Sequence, residues 1–174
     1  DNNSGNGGGS TSEEPTQVTK FKKELAEKQH LVEMKELSEE DYLNWLDGAY
    51  KKAYAGLKDY DDDLYKYEEE IFSKRRELAE KTFNDINESI EKEVESLEKL
   101  KENATLEADA DGNIYSIIDQ QIELYKQEVD NIKKRIAELE ASGLIGIEDE
   151  IKELNTKRED LLDKIYDLGK ERTT

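Results

Sequence analysis

The sequence predicts an all-α fold of elongated helical hairpins and coiled coil behind a flexible N-terminal linker. Three observations carry this expectation. Apolar side chains recur at spacings of three and four over most of the chain, charged side chains fill the positions between them, and the helix-breaking residues Gly and Pro are confined to a few places. Only 34% of the 174 residues are apolar, against roughly 45–50% in ordinary globular domains. So little apolar material forms narrow stripes between helices and cannot surround a thick core.

Residues 1–17 hold four of the ten Gly and the single Pro and show no apolar period, which is the composition of a disordered Gly/Asn/Ser linker. No G-x-x-x-x-G-K-[ST] pattern is present there, so a phosphate-binding loop is not read into it. A helical hairpin is expected over 18–57. In its first helix Phe21, Leu25, Leu31, Val32 and Met34 fall near one face. Ser38 then starts a second helix, because its hydroxyl can accept from a free amide, with Asp41 three residues on as a relative of the capping-box Glu or Gln, and Leu37 with Tyr42 stands at the positions of a hydrophobic staple. Tyr42, Leu46, Ala49, Tyr50, Ala53, Tyr54 and Leu57, with Trp45 beside them, have the spacing of a core stripe.

A long helix is expected over 58–106. The acids from Asp59 to Asp63 cluster at its start, where carboxylates meet the positive end of the helix dipole. Its apolar positions are Leu64, Tyr67, Ile71, Leu78, Phe83, Ile86, Ile90, Val94, Leu97 and Leu100, and at about 1.5 Å per residue it should run roughly 65 Å. Residues 107–113 read as an Asp-Gly turn, and residues 114–170 as an antiparallel coiled-coil hairpin. One seam carries Ile118, Ile122, Tyr125, Val129, Ile132, Ile136 and Leu139; the other carries Ile147, Ile151, Leu154, Arg158, Leu161, Ile165 and Leu168. Gly143 and Gly146 interrupt them. Aligned about that turn, every apolar position meets an apolar one except Ile132, which faces Arg158, and the guanidinium is expected to reach toward Glu128 or Asp130.

Acidic residues outnumber basic ones 45 to 26, for a formal charge of −19, so a phosphate backbone would be repelled and direct nucleic-acid binding is not expected. The basic run Lys74-Arg75-Arg76 lies among Glu68, Glu69, Glu70, Glu77 and Glu80 and reads as a salt-bridged surface. No apolar stretch approaches the roughly 20 residues that span a bilayer. The chain starts with Asp and its last helix runs nearly to Thr174, so a piece of a longer protein is expected.

Catalytic chemistry is not expected. The sequence has no Cys and one histidine, His30, which leaves no thiolate site and no Ser-His-Asp or Cys-His arrangement. Many carboxylates are present, but nothing suggests the desolvated pocket that general acid catalysis needs. No catalytic, cofactor-binding or metal residues are assigned and no cofactor is expected. The segment Glu107-Ala-Asp109-Ala-Asp111-Gly112-Asn113-Ile114 imitates the early part of an EF-hand loop, yet Ile118 occupies the position of the bidentate Glu.

The stretch EKQHLVEMKELSEEDYLNWLDGAYKKAY, residues 27–54, followed by KYEEEIF, residues 66–72, resembles the distal helical region of tail tape measure proteins from phages and prophages of Gram-positive bacteria. In that family a Gly/Ser/Asn-rich linker leads to a Met-Gly-x-Ile turn, then Ser or Thr, Glu and a Tyr three residues later, then a long Tyr- and Glu-rich helix. The resemblance covers roughly residues 17–105, and Lys35-Glu36-Leu37 stands where the family has Gly-x-Ile. It implies a structural protein of tail assembly that sets tail length by its helical length, sits in the virion tail after assembly in the host cytoplasm, and meets tail-tube or tail-tip proteins or associates with itself. Two other roles fit the same composition: a bacterial coiled-coil scaffold or surface interaction protein, and a calcium-responsive helical module using Glu107, Asp109 and Asp111. The missing ligand at Ile118 decides the expectation for the last. Millimolar calcium should leave the circular dichroism and the thermal midpoint unchanged, and a calcium-dependent rise in either would restore the EF-hand reading.

Overall fold

A computed structural model describes residues 13–104 and 111–173. The fold is all-α, and the described residues contain no strand. The helices are α1 (Thr16–Glu33), α2 (Glu39–Ala53), α3 (Asp61–Ala104), α4 (Asp111–Ala141) and α5 (Glu148–Thr173). They divide into two compact units between Leu78 and Ala79, so α3 supplies its first part to unit 1 and the rest to unit 2.

Unit 1 is α1, α2 and the start of α3. α1 begins at Thr16, earlier than the expected linker boundary at residue 17. The apolar period starts at Val18, but a helix needs unbonded amides ahead of its first buried side chain. Pro15 serves as N-cap, and its carbonyl accepts from the amides of Val18 and Thr19 at 3.0 and 3.1 Å. Glu14 accepts from the Thr19 hydroxyl and pairs with Lys22, which holds the Glu14 carboxyl below its usual range. Of the linker expected over residues 1–17, residues 1–12 lie outside the described residues.

The turn from α1 to α2 is a Schellman motif. The Glu36 amide donates to the Leu31 carbonyl at 2.9 Å and the Lys35 amide to Val32 at 3.0 Å. The motif requires a left-handed residue between them, and Lys35 has φ +59°. Ser38 then caps α2, its Oγ accepting from the Asp41 amide at 3.1 Å. Across the turn the helices run antiparallel. Gln29 near the end of α1 hydrogen bonds Tyr42 near the start of α2, while Phe21 near the start of α1 packs edge-on to Tyr54 at the end of α2. α3 returns along α2, since Tyr54 meets Tyr60 and Tyr67 whereas Arg75 meets Asn44 and Asp47.

Unit 1 is built on rings. Phe21 stacks on Trp45 at 6.0 Å and takes Tyr67 edge-on at 5.2 Å, with Tyr50 and Tyr54 closing around Tyr67. Val18, Leu43 and Leu46 fill between them. Met34, expected on the apolar face, is 59% exposed, because the chain has already begun to leave the helix there as its C-cap.

Unit 2 is the remainder of α3 with α4 and α5. Gly143 has φ +67° and Gly146 φ +83°, and the chain reverses between them. Arg135 reaches Glu150, Glu128 meets Lys157, Tyr125 lies under Lys164, and Asp119 meets Arg172. Numbers on α5 climb as those on α4 fall, so the pair is antiparallel. Val129, Ile132, Ile136 and Leu139 close against Leu154 and Leu161.

On α3 the buried line differs from the expected one. Ile86 and Leu100 are 40% and 55% exposed, while Asn87 is buried and the Lys101 side chain nearly so. The four-three spacing through Phe83, Ile90, Val94 and Leu97 passes through positions 87 and 101. The two apolar residues sit one place off it and turn outward.

The left-handed Lys35 gives a direct test. Gly adopts this conformation without the Cβ clash that a lysine meets. Lys35→Gly should raise the urea-unfolding free energy of unit 1 by about 1 kcal/mol, whereas Ser38→Ala should lower it by about 1 kcal/mol through loss of the cap. A Gly variant less stable than the parent would refute the Schellman geometry.

Candidate functional site

A helix flanked by one neighbour buries one stripe, but α4 is flanked by two. Ile117 and Ile118, adjacent in sequence, are both buried, so the covered arc of α4 is wider than one seam. Polar side chains are caught inside that arc: Gln121, Glu128 and Arg135 are buried at one-heptad intervals, and Asn87 lies on the facing side of α3.

Each of these has partners that fix a register. Gln121 donates to Glu98 of α3 at 2.8 Å. Asn131 donates from Nδ2 both to the Asn87 side-chain oxygen at 2.8 Å and to the Phe83 carbonyl at 3.2 Å. These contacts set α3 and α4 antiparallel. Arg135 lies between Glu138 at 3.7 Å and Glu150 at 3.6 Å. Lys157 of α5 bridges Glu91 of α3, at 3.1 Å, and Glu128 of α4, at 3.4 Å. Farther along, Lys101 reaches Glu171 at 3.2 Å. A buried polar group costs free energy unless it is satisfied, so a slipped register between two helices would separate the pairs that join them.

The electrostatics follow burial. Burial pushes the Glu128 carboxyl above its usual range, and it also raises the Tyr125 hydroxyl, with the Glu128 charge adding to the effect. In unit 1 the Tyr54 hydroxyl is buried without a hydrogen-bond partner, and its pKa is pushed far up by the same cause.

The residues weighed at the sequence level fall as follows. Of the EF-hand-like set, Glu107 and Asp109 lie outside the described residues. Asp111 belongs to the first turn of α4 together with Gly112 and Asn113, where the expected turn would have continued through residue 113. Among the described residues no group of three or more His, Asp or Glu side chains is arranged to hold a metal ion, and none of the helices is long and apolar enough to cross a membrane. His30 is exposed near the end of α1.

Lys74 pairs with Glu70 at 3.1 Å, but Arg75 turns to α2, meeting Asn44 at 3.1 Å and Asp47 at 3.6 Å. The basic run therefore ties two helices together as well as decorating one. Arg158 differs from expectation too: its Nε is buried without a hydrogen-bond partner, and Lys157 takes the place beside Glu128.

Sequence reasoning followed the apolar seam of α4 and passed over the polar ladder beside it. The doublet Ile117-Ile118 was the available signal, since a helix with a single partner has no use for both. Open grooves mark the surface of both units. One lies between α1 and α2, floored by Phe21, Trp45 and Ala49, and another runs along α3 and α4 past Leu97 and Leu124. Tyr65, Phe72, Leu162 and Tyr166 are exposed. No protein-family model, curated protein or solved structure matches the chain.

The orphaned Arg158 Nε makes the seam of α5 improvable. Replacing Arg158 with Leu removes an unsatisfied buried donor, and should raise the stability of unit 2 by about 1 kcal/mol. Thermal melting would register this as an upward shift of roughly 4 °C. A downward shift would mean that the guanidinium holds the hairpin together.

Proposed function

We propose that this chain is a helical structural segment of a phage tail tape measure protein and that it works through helical length and helix pairing, without catalysis. The observation that carries the reading is the turn between α1 and α2. Met34, Ser38, Glu39 and Tyr42 stand at the Met, Ser/Thr, Glu and Tyr positions of the family's turn pattern, while Lys35 and Leu37 replace its Gly and Ile. The position at which the family has Gly is Lys35, the residue that adopts φ +59°. A pattern that calls for Gly where the backbone is left-handed has a physical cause. The next features of the pattern have causes as well: Ser38 is the cap of α2, and Tyr42 enters the core.

Other properties support a structural role. A helix converts residue number to distance linearly, and α3 alone has 44 residues. The charged residues that fill its exposed face pair along the helix, as Lys81 does with Asp85 and Lys92 with Glu88 at 2.9 Å each. Such pairs support a helix that has few neighbours. A scaffold held in the host by protein partners is the second reading, favoured by the exposed Tyr65, Phe72, Leu162 and Tyr166.

Tail length separates the two. Deleting about three heptads from the α3 region of the parent gene removes roughly 30 Å of helix, and electron micrographs should show tails shortened by a comparable amount or absent. Normal tails of unchanged length would discard the ruler and leave the scaffold.

A further inference from the structure

We propose that Glu91, Glu128 and Lys157 form a proton-operated clasp, which tightens the α3–α4–α5 junction of unit 2 when the surroundings become mildly acidic. The geometry is that of one ammonium shared by two carboxylates. Lys157 Nζ hydrogen bonds Glu91 Oε1 at 3.1 Å. It lies 3.4 Å from Glu128 Oε1, near enough to attract but without hydrogen-bond geometry, so that oxygen is buried with no donor. The Glu128 side chain is 1% exposed, whereas Lys157 and Glu91 are 41% and 56% exposed. The cation is therefore drawn to the solvated acid, and Oε1 of the acid buried from water is left without a hydrogen-bond donor.

A proton removes this conflict. Protonated Glu128 can donate to the Glu91 carboxylate, and a hydrogen bond between the two acids requires such a proton. Lys157 then balances the single remaining charge. The other groups facing the junction do not supply the missing donor. From α3 comes Glu98, engaged with Gln121; from α4, Tyr125, whose acidity the Glu128 charge depresses; and from α5, Arg158, whose Nε has no hydrogen-bond partner.

The direction of the pH effect follows. Burial, opposed by Lys157 and reinforced by Glu91, raises the Glu128 pKa above the unfolded value of 4.5. The folded form therefore takes up the proton before the unfolded chain does. Its stability falls as pH rises through the folded pKa, and the Glu128 contribution is most favourable on the acid side. An ordinary salt bridge would behave in the opposite way.

Glu128→Gln tests the clasp in the full chain, because glutamine imitates the protonated acid and its amide can donate to Glu91. At pH 7 the variant should melt about 4 °C higher than the parent, and the difference should shrink toward zero as the pH is lowered through the Glu128 titration. Carbon-13 NMR of the parent's glutamate carboxyls should show one residue, lost in the variant, titrating above the rest, and Glu91→Gln should move that titration to lower pH. A variant that melts lower than the parent at pH 7, a Glu128 that titrates with the exposed glutamates, or a titration indifferent to Glu91→Gln would each overturn the proposal.

Discussion

Burying α4 on two faces is the constraint from which the order of unit 2 follows. A chain with this little apolar material cannot line both faces of a helix with aliphatic side chains, so heptad positions facing α3 and α5 are occupied by Gln121, Glu128 and Arg135. Once these are enclosed, their partners are supplied by specific positions on neighbouring helices, Glu98 for Gln121, Lys157 for Glu128 and Glu150 for Arg135. Apolar seams tolerate sliding by a heptad, because Leu and Ile present much the same surface at every repeat. The Asn131–Asn87 hydrogen bond does not, since it joins particular side chains that do not recur one heptad along. The aliphatic seam thus supplies attraction, and the polar ladder supplies register.

Unit 1 meets the same shortage with different means. Its helices α1 and α2 are 18 and 15 residues long, and an isolated helix of that length is marginal in water. Large rings compensate. Phe21, Trp45, Tyr50, Tyr54 and Tyr67 each bring far more buried surface than an aliphatic residue, and edge-on contacts such as that of Phe21 with Tyr67 add to it. The cost appears at Tyr54, whose hydroxyl is carried into the core without a partner. Two left-handed non-glycine residues, Lys35 and Asp59, flank α2 at the connections on either side. This unit bends its backbone sharply to bring its rings together.

The grooves are open and shallow in chemistry, lined by Lys, Glu, Ser and Gln around a few apolar side chains. What the fold has in quantity is helix of determined register. That is a property suited to bearing length and to aligning with other helices, and it underlies the structural reading.

The all-α class, the cap at Ser38, the break at Gly143 and the apolar faces of α2 and α4 were legible in the sequence, because each depends on interactions within a few residues. Spacing of three and four, a hydroxyl before an acidic turn and a glycine after a seam act locally and leave a local trace. The tertiary structure decided the rest. It placed Asn87 inside and Ile86 outside, turned Arg75 to α2, left Arg158 Nε without a partner, and set Lys157 between Glu91 and Glu128. Those outcomes depend on which helix lies opposite which face. A period in one helix specifies that a face will be covered; only the packed neighbours determine what covers it and which buried charges must then find a partner.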